Sequence, residues 1–179
     1  MEIEIVKEIE MPDAIDQSVR DGLCRCFPPD REIFSKSRGW HGSMPAWRVL
    51  MEDTGKVVAH VGIIDRVIMA GNQQLRVAGI QNVFVLPEYR GHGVSDRIMD
   101  ACMLEAARLD FDTGLLYCVP ALEKVYARCG WKLLPKEVII RIDEHGAEVA
   151  LPDKNIAMFH PLKVLKFPAG TVHLQGNDW

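Results

Sequence analysis

The stretch Ile80-Gln81-Asn82-Val83-Phe84-Val85-Leu86-Pro87-Glu88-Tyr89-Arg90-Gly91-His92-Gly93-Val94-Ser95 constrains the fold more than any other part of this chain. Its first seven residues are rich in β-branched and aromatic side chains and read as the end of a strand that Pro87 stops. From about His92 to Leu109, Val94, Ile98, Ala101, Cys102, Ala106 and Leu109 recur at helical spacing, with Asp96, Arg97, Asp100 and Arg108 mostly off that stripe. Between strand and helix lies a short loop with one arginine and two glycines. Such a junction presents unpaired backbone N–H groups at the positive end of a helix dipole, which suits a phosphate or pyrophosphate. Gly91 and Gly93 let the backbone approach the anion closely, and Arg90 adds charge or braces the loop. Arg90 through Ser95 fits the spacing Q/R-x-x-G-x-G/A, with Ser95 departing at the last position. The Gly-Lys-Ser/Thr ending of a P-loop is missing, and what precedes the loop is a strand meander and not the βαβ unit of a dinucleotide fold.

The flanking patterns extend this junction into an α/β domain. Residues 2–9 read as a strand and 14–26 as a helix, with Asp13 positioned to cap it after Pro12. Phe27-Pro28-Pro29 ends that helix; a short second helix follows at Arg31–Ser35, then a loop to Pro45. Trp47–Glu52, Lys56–Met69 and Gln74–Leu86 read as three strands joined by glycine-containing turns, an antiparallel meander. Beyond the long helix come a strand at Leu115–Val119, a short helix opened by Pro120 and ended at Cys129-Gly130, and a hairpin of Glu137–Asp143 with Ala147–Leu151. The segment Asn155–Trp179 has weaker strand signals. No repeat or interdomain linker interrupts the pattern, so residues 1–179 are expected to form one domain, a size that buries roughly 70% of the unfolded chain's surface.

Composition narrows the function classes. A net charge of −4 argues against a general nucleic-acid binder. No apolar run approaches the roughly 20 residues that span a bilayer, so no membrane partner is expected. The acidic start Glu2-Ile3-Glu4-Ile5 is unlike a signal peptide. Five cysteines form neither a disulfide framework nor a zinc spacing, and they read as free thiols in a reducing cytoplasm, with no metal site. Cys118, at a strand end near the anion loop, is a minor candidate nucleophile.

Two motif regions in this element order resemble the Gcn5-related N-acetyltransferase superfamily, over roughly residues 45–135. The first is Val83 through Ser95. The second, Ala121-Leu122-Glu123-Lys124-Val125-Tyr126-Ala127-Arg128-Cys129-Gly130-Trp131, is similar to that family's A-x(4)-Y-x(3)-G-[FW] signature. The resemblance implies a mixed, mostly antiparallel sheet flanked by helices, with a splayed strand pair forming an acyl-coenzyme A cleft. It implies acetyl-coenzyme A as co-substrate, its pyrophosphate on Arg90, Gly91, His92, Gly93, Val94 and Ser95, and its pantetheine arm paired with the backbone at Phe84 and Val85. Ser95 would cap the helix or bond a phosphate oxygen.

The implied reaction moves an acetyl group from a thioester to the primary amine of a small molecule. It needs a neutral amine, a donor to the carbonyl oxygen and a proton for the departing thiolate. Tyr126 matches the family's general acid, since a phenol stays protonated at neutral pH. Many relatives carry a basic glutamate where this chain has Gln81, beside Asn82, and neither takes up a proton at useful pH. His60, on the neighbouring strand, is the first candidate base. His41, Asp65, the carboxylate of Trp179 and a water chain are alternatives. A narrower resemblance lies in Trp40-His41-Gly42-Ser43-Met44-Pro45-Ala46-Trp47-Arg48 and Val58-Ala59-His60-Val61-Gly62, similar to the NodA nodulation N-acyltransferases, which place a fatty acyl chain on an amino sugar. It brings in a longer acyl group, or an acyl carrier protein as donor, and Trp40 and Trp47 as surfaces for a sugar ring. A non-catalytic coenzyme A-binding domain is the competing class. A homodimer is compatible with the sequence and is not specified by it.

Overall fold

The structure is a computed structural model that describes residues 1–40, 42–134, 138–152 and 154–179. Its centre is one curled mixed sheet. The strands β1 (Glu2–Lys7), β2 (Trp47–Asp53), β3 (Lys56–Ala70) and β4 (Gln73–Val85) follow one another antiparallel. β5 (Thr113–Cys118) joins β4 in parallel, as the long connection through a helix requires. β9 (Ile156–Pro161) lies antiparallel to β5 and carries β6 (Lys132–Leu133) on its other edge. At the far end of β3, Met69 and Ala70 pair with β10 (Val172–His173), which continues the sheet into β7 (Ile139–Ile142) and β8 (Glu148–Ala150). β3 and β4 are buried on both faces over most of their length, which is why their sequences read as near-continuous apolar runs.

Helix α1 (Asp13–Cys26) buries Val19 and Leu23 and packs on β3 and β4; the short α2 (Arg31–Phe34) follows it and buries Phe34. Helix α3 (Val94–Arg108) sets Val94, Ile98, Met99, Cys102, Met103 and Ala106 against β2, β3 and β4. These helices and the β2–β5 sheet share one apolar cluster, and a second cluster under the C-terminal half gathers Ile64, Leu115, Phe159, Phe167 and Trp179. No helix among the described residues is long and apolar enough to cross a membrane. All five cysteines are free, as expected.

The mixed α/β architecture expected from the motifs is present, with three differences in detail. The N-cap position of α1 is Pro12 and not Asp13, which is the first helical residue and makes no capping hydrogen bond; its charge still favours the positive helix end. The first hairpin strand begins at Ile139; Glu137, taken as its start, lies outside the described residues, as does His41. The weakly patterned segment after Asn155 supplies an interior strand, β9, whose burial at Met158 and Phe159 comes from its neighbours.

Candidate active site

The site begins with a defect in β4. His60 faces Phe84 and Gly62 faces Gln81, so one residue more on β4 than on β3 fills the interval. This β-bulge carries Asn82 in the left-handed region, φ 55°, a conformation asparagine tolerates better than most residues. β4 and β5 pair only from Val77–Thr113 to Ile80–Leu116. Past that point β5 stays paired with β9 through Cys118 and β4 with β3 through Val85, so the sheet parts between β4 and β5. A gap opens between residues 81–85 of β4 and residues 117–118 of β5.

Buried polar groups hold the bulge in place. His60 is fully buried. Its Nδ1 lies 2.7 Å from the Asn82 carbonyl and its Nε2 lies 2.9 Å from Arg48 Nη1. A carbonyl can only accept and a guanidinium can only donate, so the ring proton sits on Nδ1. The ring also stacks on Phe84 with centroids 5.4 Å apart. Burial first, and then the Arg48 charge, push the imidazole down to about 3. Arg48 is itself fully buried and donates to Glu8 Oε2 at 2.5 Å. Arg38 bridges Glu8 and Asp16, and its carbonyl accepts from Asn82 Nδ2 at 2.9 Å. The candidate base therefore has both nitrogens committed to structure.

Gln81 is committed as well. Its Nε2 donates to the Ser43 carbonyl at 2.7 Å, and its Oε1 accepts from the Trp40 N–H at 3.0 Å and from Asn82 Nδ2 at 3.1 Å. The amide thus pins the Trp40–Ser43 turn onto the bulge. Both faces of the amide are needed, and a carboxylate offers only one.

Past the bulge, Leu86 N–H donates to the Val58 carbonyl at 2.9 Å, which makes Ala59–Val85 a non-hydrogen-bonded pair. By the alternation of an antiparallel ladder, Val85 turns its N–H and C=O into the gap, while Phe84 turns its own toward β3. The expectation that both backbones face a pantetheine arm is thus corrected. Val85 offers its backbone; Phe84 contributes a buried ring packed against Gly22 of α1. Arg90 Nε donates to the Val85 carbonyl at 2.9 Å, so Arg90 braces the loop back onto the strand it leaves. Gly91 and Gly93 stand at φ 80° and 72°, with open space where a Cβ would be. Gly93 occupies the N-cap position of α3, and no side chain caps the helix; Ser95 hydroxyl donates to Asp96 Oδ1 at 3.2 Å. The first N–H groups of α3 are thus left without a side-chain cap.

Helix α4 (Glu123–Arg128) brings Tyr126 beside Cys118, at the end of β5 that no longer pairs with β4. The ring meets Trp131 edge-on at 6.3 Å. Burial, with the neighbouring thiols Cys118 and Cys129, pushes the phenol above its usual value. Among the described residues its hydroxyl has no hydrogen-bond partner. Cys118 is buried and pushed up to about 11, which keeps it a thiol. Asp65 pairs with Arg76 at 2.7 Å on the opposite half of β3, away from the gap. Trp47 meets Phe111 edge-on and Trp40 stacks on Phe34, so both rings pack against the core. Two contributors carried weak sequence signals: the Asn82 bulge, announced only by a polar pair inside an apolar strand, and Arg48, a charge between Trp47 and the apolar run Val49-Leu50-Met51. No group of three or more metal-ligating side chains occurs among the described residues.

The family model for nodulation protein A (NodA) matches residues 3–173 of this chain. The chain belongs to the NodA family. It is 32% identical over 152 residues to nodulation protein A of Sinorhizobium terangae, a match covering 82% of this chain and 72% of that protein. It is 23% identical over 117 residues to an aminoglycoside 2'-N-acetyltransferase of Mycolicibacterium fortuitum, covering 65% of this chain and 60% of that protein. The fold matches YhbS, a GNAT family N-acetyltransferase from Escherichia coli solved with CoA, with a TM-score of 0.68 at 16% identity over 97% of this chain and 89% of that one. Family and fold together place the NodA-family chain among acyltransferases, with the Gcn5-related architecture expected from its two motifs.

Proposed function

We propose that this protein transfers an acyl group from an acyl-coenzyme A to the primary amine of a small molecule. The observation that carries this reading is the gap between β4 and β5, bordered by the Val85 backbone, the glycine loop at the start of α3 and the protonated Tyr126. A pantetheine N–H reaches the second lone pair of the Val85 carbonyl, whose first holds Arg90 Nε, and the pyrophosphate sits on the N–H groups of residues 91–95. The amine attacks the thioester carbonyl, whose developing negative charge the Val85 N–H stabilises. Tyr126 hydrogen-bonds the departing thiolate. With Gln81 and His60 both held in the bulge, the amine loses its proton to water, and no side chain at the bulge acts as base. The amino-sugar or aminoglycoside-like acceptor rests on the resemblance to NodA and to the aminoglycoside enzyme, and an acetyl donor rests on the Gcn5-related motifs.

The test is turnover of acetyl- and longer acyl-coenzyme A against amino sugars, aminoglycosides and polyamines, read as free thiol. The expected result is release with at least one acceptor, and a rate that rises with pH until the amine itself is neutral, without a limb near pH 6.5. Coenzyme A binding without turnover on any acceptor would replace this reading with a non-catalytic binding domain. Activity only with a carrier-bound acyl group would replace the donor.

A further inference from the structure

An indole packs on one face of the sheet at the inner end of the gap. Gly79 and Leu115 form the last but one rung of the β4–β5 ladder, and Ile80–Leu116 is the last before the strands part. Side chains alternate along a strand and paired residues share a face, so positions 79, 81, 115 and 117 look the same way. Trp179 lies on that face. A Cβ built on Gly79 would stand 2.5 Å from Trp179 Cε2 and 2.7 Å from Cζ2, so the ring rests directly on the glycine. Only glycine admits it there. The ring is 5% exposed, donates its Nε1 proton to the Leu115 carbonyl at 3.4 Å, and packs on Tyr117 with centroids 5.6 Å apart.

The ring is also anchored. The Arg66 guanidinium stands 5.1 Å above it and donates to the Asn177 carbonyl. Ser43 hydroxyl donates to the Asp178 carbonyl at 2.9 Å, and Arg141 donates to Asn177 Oδ1 at 2.7 Å and pairs with Asp178 at 3.5 Å. Ser43 belongs to the same turn that Gln81 pins to the bulge. The Trp179 segment and the bulge therefore share one bracing system.

We propose that the Trp179 ring is the end wall of the acyl pocket and sets the length of acyl chain this protein accepts. The inference rests on the acyl-coenzyme A reading above. A thioester held at Val85 directs its acyl group along the gap toward the Ile80–Leu116 rung, where the strands close. On the Gly79 face, further room would require displacing a ring held by its own hydrogen bond and by Arg66. The pocket accordingly suits acetyl or a group a few carbons longer. An alkyl tail gains about fourfold in affinity per methylene it can bury, so the wall is read directly from chain-length dependence.

The experiment is calorimetric titration with coenzyme A and with its S-ethyl, S-butyl and S-octyl thioethers, which need no acceptor and do not turn over. Wild-type protein should bind coenzyme A and the S-ethyl form, and bind the S-octyl form no more tightly than the S-ethyl form. In Trp179→Ala the S-octyl form should tighten about tenfold or more, with coenzyme A itself unchanged within about twofold; Trp179→Leu should fall between. Coenzyme A binding reports that each variant is folded, and the wild-type series tests the wall without any variant. An S-octyl preference already present in wild type, or the same octyl-to-ethyl ratio in wild type and a folded variant, overturns the proposal. Failure of wild type to bind coenzyme A overturns the donor reading instead.

Discussion

His60, Gln81 and Tyr126 differ in chemistry, and their surroundings decide which of them is left for a reaction. His60 has a donor and an acceptor at fixed distances and a stacked ring, so its role is to hold Asn82 in its unusual conformation. That role has a pH signature. The unfolded chain binds a proton at this residue below pH 6.5, whereas the folded chain resists protonation down to about 3. Below pH 6.5 the unfolded state therefore holds more protons, and stability falls as pH falls, by up to about 1.4 kcal/mol per pH unit. Melting temperature should be flat near pH 7–8 and decline between pH 6.5 and 4. His60→Gln should have a shallower decline, the remainder coming from the half-buried His160, also pushed down by burial, and toward pH 4 from carboxylates that arginines hold low, such as Asp16 and Glu88. An unchanged slope in that variant would mean that His60 is protonated in the folded protein. Tyr126 carries the opposite expectation. Its phenol stays protonated across the working range, so Tyr126→Phe should lower kcat about 100-fold or more at every pH, leaving the pH profile's shape and coenzyme A affinity unaltered. A loss confined to KM would make Tyr126 a packing residue.

At the scale of elements, the strand–loop–helix junction was legible in the sequence because its signals are local: a proline stop, two glycines and a helical stripe. Both glycines adopt positive φ, as the loop reading required. Gly93 at φ 72° sits at the N-cap of α3, so Gly93→Val forces a β-branched residue where it is strained by about 1–3 kcal/mol without meeting any neighbour. Coenzyme A affinity should drop about tenfold or more while secondary structure by circular dichroism stays as in wild type; unchanged affinity would move the pyrophosphate elsewhere. The bulge was less legible. Gln81-Asn82 in an apolar strand marked a special place, yet the partners that consume those amides, Ser43 and Arg38, lie some forty residues away and only tertiary structure joins them. β9 was obscure for a related reason: its six residues lack a period-2 pattern, and the pairing with β5 and β6 that makes them a strand comes from residues distant in sequence. Gly79 is visible in the sequence as well, since a glycine inside an apolar strand marks close approach of another group, here the Trp179 ring.

At the scale of the whole molecule, the pieces proposed to hold coenzyme A come from three separate stretches: β4, the α3 N-terminus, and β5 with α4. A ligand lying across them stabilises only the folded chain, where they are brought together. At a hundredfold excess over Kd this contributes about 2.7 kcal/mol, and for a chain of this length each kcal/mol raises the melting temperature by about 2–4 °C. Coenzyme A at saturating concentration should therefore raise Tm by about 5–10 °C, in steps that follow log concentration. Adenosine 3',5'-bisphosphate, which lacks the pantetheine arm and half of the pyrophosphate, should raise it far less, because it cannot reach Val85 or span to Tyr126. Equal shifts from the two would mean that the nucleotide end alone is bound, and that the gap between β4 and β5 does not hold the arm.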